Sequence, residues 1–101
     1  MITVTAEFDI LPGKEDEAIA TIQNLIASVD RNEPGNILYR WHRGVKDPNH
    51  VLVFEMWRDD DAVKAHREMP HQVEFGKVFA TLFDPASVKI NRHELIGEVR
   101  H

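Results

Sequence analysis

The change of hydrophobic period near the start of the chain is the feature that most limits its possible folds. Apolar and polar residues alternate over the first ten positions, which is the pattern of a strand with one buried face. Leu11-Pro12-Gly13 ends this strand, because proline lacks an N–H donor and glycine permits a turn. From Lys14 to about Arg31 the apolar spacing becomes helical. The stripe consists of Ala18, Ile22, Leu25 and Val29.

Two strands joined by a turn follow this helix. Residues 36–44 and 50–58 are rich in β-branched and aromatic residues, and the segment between them contains Gly44 and Pro48. A sheet that is covered on one face shows clean alternation, but these two strands carry apolar side chains on both faces. We therefore expect both faces of the middle strands to be partly buried.

The second half of the chain predicts two helices and a last strand. Asp59-Asp60-Asp61 indicates an N-cap and an acidic first turn for a short helix over Ala62–Glu68. Pro70 breaks this helix, a second helix runs from about His71 to Phe83, and Ser87–His93 forms the last strand. The order is β-α-β-β-α-β, which predicts an α+β, ferredoxin-like antiparallel sheet with helices on one face. We expect one domain over residues 1–101, with a core of about 2–93 and a polar tail.

Composition excludes several classes of protein. The 101 residues carry a net charge of −5 without a basic cluster, so a nucleic-acid partner is not expected. The chain has no cysteine, which removes disulfides and thiolate chemistry. No apolar stretch is long enough to cross a membrane, and the N-terminus lacks the pattern of a signal peptide. We therefore expect a cytoplasmic protein that does not associate with membranes.

Two of the six histidines, His66 and His71, lie on either side of Pro70. Their five-residue spacing does not place them on one helical face, so a metal-binding pair within one helix is not expected. Proline could instead turn the chain so that both rings face the space between helix and sheet. Alternatively, His66 only stabilises the C-terminus of its helix. The spacing leaves both interpretations open.

Glu55 and Trp57 form a second candidate group within an apolar strand. A carboxylate in such a strand is costly unless it is paired, and Arg40, Arg43 or a helix histidine are possible partners. A structural ion pair and a packed indole would account for the group without any function. A pocket with an aromatic wall, one acid and one or two imidazoles would instead suit proton transfer to an aromatic or carbonyl ligand.

Four short segments are distinctive when they are taken in order. They are Leu11–Lys14, Glu33–Tyr39, Glu55–Trp57 and His66–His71. With these segments at this spacing, the chain resembles the antibiotic biosynthesis monooxygenase-like (quinol monooxygenase-like) family of the dimeric α+β barrel superfamily. The resemblance extends from Ile2 to about Ile90.

The resemblance implies a homodimer whose sheets associate into a barrel, with a pocket between sheet and helices in each subunit. Relatives oxidise quinols or polycyclic phenols with molecular oxygen and use no flavin, haem or metal, so no cofactor and no metal are expected. It implies that His66 and His71 are catalytic and that Trp57 and Tyr39 bind the substrate, a small aromatic or carbonyl compound. Glu55 would orient or charge-balance a histidine.

Other functions in the superfamily remain open alternatives. A haem-degrading branch also has a tryptophan at the position of Trp57, but it needs an asparagine on the first strand and a histidine near Gly76, which this chain lacks. Another branch degrades a phosphorylated signalling furanone, and the same two histidines could serve such an isomerisation. A non-catalytic dimer that binds small molecules is the third alternative.

Overall fold

Four strands form one antiparallel sheet in the computed structural model, which describes residues 1–101. The strands are β1 (Ile2–Asp9), β2 (Asn36–Arg43), β3 (His50–Trp57) and β4 (Lys89–His93). Their order across the sheet is β2-β3-β1-β4. This arrangement confirms the predicted α+β, ferredoxin-like fold. Residues 94–101 form no helix or strand and are exposed.

Three helices connect the strands. They are α1 (Glu15–Asn32), α2 (Asp60–Glu68) and α3 (Pro70–Leu82), and a short 3₁₀ turn, Pro85–Ser87, precedes β4. The predicted N-cap of α2 is confirmed, because the Asp59 carboxylate accepts a hydrogen bond from the backbone N–H of Ala62 at 2.9 Å.

Pro70 both ends α2 and begins α3. Only Met69, which has an extended backbone, separates the two helices. Proline suits the first position of a helix, where its missing N–H would have had no intrahelical partner. The helix therefore starts one residue earlier than the sequence predicts, and the chain changes direction between His66 and His71.

A close backbone approach fixes the start of β2 against α2. A Cβ atom at Gly35 would lie 2.6 Å from the Cβ of Ala62, so only glycine fits there without a shift. The carbonyl of Gly35 also accepts a hydrogen bond from the N–H of Arg58 at 2.9 Å. The segment that contains Glu33 is thereby held beside the helix that carries His66.

The core lies between the helices and one face of the sheet. Alternate side chains of β1 and β3 face it, as the period of the first strand predicts. Phe8 is central, with its ring centroid 5.0 Å from those of Phe79 and Phe83 in edge-to-face geometry. None of the three helices combines the length and apolar character that crossing a bilayer requires. The cytoplasmic location stays a prediction.

The opposite face of the sheet also carries apolar side chains. Pairing sets Met56 beside Leu38 and Thr3, and sets Phe54 beside Arg40 and Thr5. Met56 is only 6% exposed, and Leu52 and Phe54 are half-buried although no helix covers this face. The two-sided apolar pattern predicted for the middle strands is confirmed.

Candidate functional site

A cavity of about 310 Å³ lies between the core-facing side of the sheet and the helices. This volume is within the range of small-molecule sites. Its walls are mainly apolar and include five aromatic side chains: Phe8, Tyr39, Trp41, Phe75 and Phe79. The polar lining comes from Glu55, His66, Arg67 and Gln72. Such a cavity suits a flat aromatic compound that carries a few polar groups.

His66 is held in the last turn of α2, with its two ring nitrogens in different surroundings. Nδ1 lies 2.9 Å from both carboxylate oxygens of Glu33, whereas Nε2 is on the cavity side, 3.9 Å from Oε1 of Glu55. Burial lowers the pKa of His66, and this effect outweighs the opposing hydrogen bond and charge of Glu33. The imidazole is therefore neutral at pH 7, with Nδ1–H donating to Glu33 and the Nε2 lone pair toward the cavity.

Glu33 is the member of the candidate site that sequence reasoning missed. It follows the last turn of α1, and its carboxylate is buried between the two histidines, with Nε2 of His71 at 2.6 Å from Oε2. The sequence assigns Asn32–Gly35 to a helix-ending turn, and a turn acid is ordinarily solvated. Its place at the head of the Glu33–Tyr39 segment is the one signal that could have pointed to it.

The same three residues form a donor set that a metal could use. The ligand atoms of Glu33, His66 and His71 all lie within 4.8 Å of one another. Two imidazoles and one carboxylate suit divalent transition metals. Each of the three groups already has a hydrogen-bond partner within the set. N–H groups on the two imidazoles therefore satisfy the Glu33 carboxylate without a bound cation.

Glu55 is bound by a neighbour on its own strand. Its Oε1 accepts a hydrogen bond from Trp57 Nε1 at 3.1 Å, because residues two apart on a strand share a face. Burial raises the pKa of Glu55 to about 7 in spite of this bond, and the charge of Glu33 adds to the shift. The arginine partners considered for Glu55 are wrong. Arg40 lies beside Phe54 on the opposite face, and Arg43 Nε donates to the carbonyl of Pro48 at 2.7 Å.

Tyr39 lines the cavity beside Glu55 and His66. Its ring meets that of His66 edge-on, with 5.8 Å between centroids. Burial raises the pKa of the Tyr39 hydroxyl far above its ordinary value, and the charge of Glu55 acts in the same direction. The hydroxyl is therefore protonated at all physiological pH values.

The expectation that both histidines and Trp57 face one pocket differs from the observed geometry. His66 lines the main cavity, but His71 lines a smaller depression of about 190 Å³ with residues of α1. The cause is Pro70, which starts α3 in a new direction and brings His71 to Glu33. Trp57 is 1% exposed and lies behind His66, with 4.5 Å between the ring centroids, rather than in the cavity wall.

A family model and two relatives match the sequence of this chain. The family model for antibiotic biosynthesis monooxygenase matches residues 1–78. The "Uncharacterized protein sll1783" of Synechocystis is 34% identical over 90 residues, which are 88% of this chain and 60% of that protein. The "Putative monooxygenase YcnE" of Bacillus subtilis is 32% identical over 71 residues, or 70% of this chain and 74% of that one.

A solved structure shares the fold of this chain. The crystal structure of PA3566 from Pseudomonas aeruginosa aligns with a TM-score of 0.84 and 26% identity, and the alignment covers 95% of this chain and 94% of that one. Since the family model covers most of the chain and two relatives exceed 30% identity, the chain belongs to the antibiotic biosynthesis monooxygenase family.

Proposed function

We propose that the protein is a cofactor-independent monooxygenase that oxidises a small quinol or polyphenol with molecular oxygen. One observation carries this proposal. A neutral imidazole, His66, is anchored through Nδ1 by Glu33 while Nε2 borders an aromatic cavity of about 310 Å³. Such a nitrogen is a base of suitable strength for a phenolic proton at neutral pH.

The chemistry begins with proton transfer from a substrate hydroxyl to His66 Nε2. The resulting phenolate is electron-rich and reduces oxygen directly, so the substrate itself supplies the electrons. For a dihydroxynaphthalene, one oxygen atom of O₂ enters the ring and the other leaves as water, which gives a hydroxynaphthoquinone. The protein has to bind the ring, remove the proton and exclude competing reactions.

Glu33 is the positioning residue for this base. By accepting the Nδ1–H bond it selects the tautomer whose Nε2 is free, and its negative charge stabilises the imidazolium that forms during transfer. His71, the second histidine of the proposed catalytic pair, acts through the same carboxylate, since its Nε2 is 2.6 Å from Glu33 Oε2. In this proposal it supports the base and does not touch substrate.

The substrate ring would lie against the aromatic wall of the cavity. Tyr39 contacts this space directly and offers a protonated hydroxyl. Glu55 borders the space near His66 Nε2, where it can exchange a proton with the base. Trp57 acts indirectly in this scheme, because it holds Glu55 through Nε1 and packs on the His66 ring.

One observation favours the alternative of isomerisation. Glu55, with a pKa of about 7, and His66 lie 3.9 Å apart, so an acid and a base border the same ligand. Such a pair could move a proton between two positions of a small sugar-derived furanone. A purely binding dimer would use the same cavity without turnover.

We also propose that the functional unit is a homodimer joined through the uncovered sheet face. Leu38, Leu52, Phe54 and Met56 lie on this face, and a second copy would bury them. Two identical sheets related by a twofold axis would bury these side chains against each other.

Oxygen consumption with a panel of reduced quinols and dihydroxynaphthalenes tests the proposed activity. We expect uptake above the uncatalysed rate, and loss of this excess in His66→Ala. His101→Ala is the matched control, since His101 is exposed at the terminus. No uptake above background across the panel would contradict the proposal. Turnover of a furanone without oxygen would favour the isomerase.

A further inference from the structure

Gly76 is a glycine that the fold itself does not require. It lies in the middle of α3, where glycine is one of the least favourable residues because it loses the most backbone freedom on folding. Its backbone is helical, and Gly13 is the only glycine with a positive φ. A Cβ atom at Gly76 would meet nothing within 4 Å, in contrast to the crowded position of Gly35. Neither backbone conformation nor packing within the chain therefore explains this residue.

Three residues that line the cavity are exposed to solvent, and they mark its mouth. They are Arg67 on α2, Gly76 on α3 and Ile90 on β4. Ile90 is paired with Ala6 of β1, another lining residue, so both side chains are on the face of the sheet that the helices cover. All other lining residues are buried or half-buried. The cavity therefore opens to solvent between α3 and β4.

The two sides of this mouth differ in a way that suits a ligand passing between them. On one side Ile90 is 64% exposed although it is a large apolar residue. On the other side Gly76 presents helix backbone, and a side chain there would project into open space at the mouth. A ligand that reaches the mouth would bury Ile90, and the missing Cβ lets it lie directly on the helix.

We propose that Gly76 determines the length of the compound that the cavity accepts, because the outer end of a bound ligand lies between Gly76 and Ile90. This inference rests on the proposed function in that the inner end of the ligand is the phenol that His66 deprotonates. A compound that fits wholly inside the cavity would make no contact at Gly76 and would leave Ile90 exposed.

Two phenols that differ only in the group opposite the hydroxyl test the proposal by equilibrium binding, without turnover. 4-Methylphenol is short enough for the interior of a cavity of about 310 Å³. 4-Phenylphenol carries a second ring that would reach the mouth. Calorimetric titration of the wild-type protein should show 4-phenylphenol binding about tenfold or more tightly than 4-methylphenol.

Variants assign this preference to the mouth. Gly76→Leu should weaken binding of 4-phenylphenol by about tenfold or more and that of 4-methylphenol by less than about threefold, since the leucine fills the mouth and not the interior. Ile90→Ser should also weaken binding of 4-phenylphenol selectively. Ala80→Leu is the matched control and should change neither affinity, because Ala80 is exposed one turn further along α3 and does not line the cavity.

Gly76→Ala distinguishes a glycine kept for a ligand from one kept for structure. Alanine has free space for its Cβ at this position and is the better helix former, so the melting temperature should rise by about 4 °C. Light scattering should report the same mass as for the wild type. A lower melting temperature or a lower mass would overturn the inference, because the glycine would then serve folding or contact with a second copy.

An unchanged affinity ratio in Gly76→Leu would also overturn the inference, as would a wild-type protein that does not bind 4-phenylphenol more tightly than 4-methylphenol. Neither result bears on oxygen uptake with quinols that fit inside the cavity, which is measured separately. Conversely, the expected length preference without any oxygen uptake would support this inference and contradict the proposed oxidation.

Discussion

Nδ1 of His66 lies 2.9 Å from both carboxylate oxygens of Glu33, although the two residues are 33 positions apart in the chain. Gly35 makes this contact possible, because its missing side chain lets the start of β2 lie directly on Ala62 of α2. Nδ1 is thereby hydrogen-bonded to Glu33, and Nε2 lies beside the cavity. The candidate site is built on this relationship, and most of its predicted properties follow from it.

Removal of the base should lower kcat strongly while the protein stays folded. We expect His66→Ala to lower kcat by roughly 10²–10⁴-fold, which is the usual contribution of general-base catalysis. Steady-state oxygen uptake measures the loss, and a thermal melt shows whether the variant is folded. A folded variant with wild-type kcat would exclude His66 as the base.

Neutralising Glu33 should change the pH dependence of the reaction. The Glu33 carboxylate raises the pKa of His66 against the larger effect of burial, so its removal lowers that pKa further. In Glu33→Gln the acidic limb of the kcat profile should move to lower pH, and kcat itself should fall because the imidazolium loses its counter-charge. An acidic limb at the wild-type pH would show that Glu33 does not act through His66.

Glu55 should make stability depend on pH in a defined window. Its pKa rises from 4.5 to about 7 on folding, so the folded state favours the protonated form. The stabilisation is present below the unfolded pKa and is lost as pH rises through the folded pKa, a change of up to about 3 kcal/mol. Urea unfolding at pH 4.5 and pH 8 should show this loss in the wild type relative to Glu55→Gln. Parallel changes in both proteins would refute it.

Metal removal should leave the activity unchanged. Glu33, His66 and His71 satisfy one another by hydrogen bonds, so their arrangement has no need of a cation. Oxygen uptake before and after exhaustive chelator dialysis measures the effect. Activity that disappears on dialysis and returns with one divalent metal would assign these three residues to a metal site instead.

The uncovered sheet face should hold two copies together. Light scattering at micromolar concentration should report twice the mass of one chain, and Phe54→Lys should shift the protein toward the monomer. Val45→Lys is the control, because Val45 is fully exposed in the turn between β2 and β3. A wild-type mass equal to that of one chain would contradict the dimer.

The order of elements could be predicted because local patterns encode it. The alternation over Ile2–Ile10 indicates a strand whatever its neighbours are, since it reflects the two-residue repeat of the backbone. Asp59 as an N-cap and Pro70 as a helix breaker also depend on short-range chemistry. The expected strand and helix limits therefore agree with the observed ones to within about two residues, as Ser87 against Lys89 at the start of β4 illustrates.

The sequence by itself determined the β-α-β-β-α-β order and the family, and it marked His66 as a candidate site residue, but it left the partners of each polar side chain undecided. The pattern assigned Glu33 to a turn, and it offered two arginines and a helix histidine as possible partners of Glu55. Only the tertiary structure brought Glu33 to both histidines and turned Trp57 toward Glu55. The physical reason is that helix and strand periods depend on neighbouring residues, whereas buried hydrogen bonds depend on how distant segments pack.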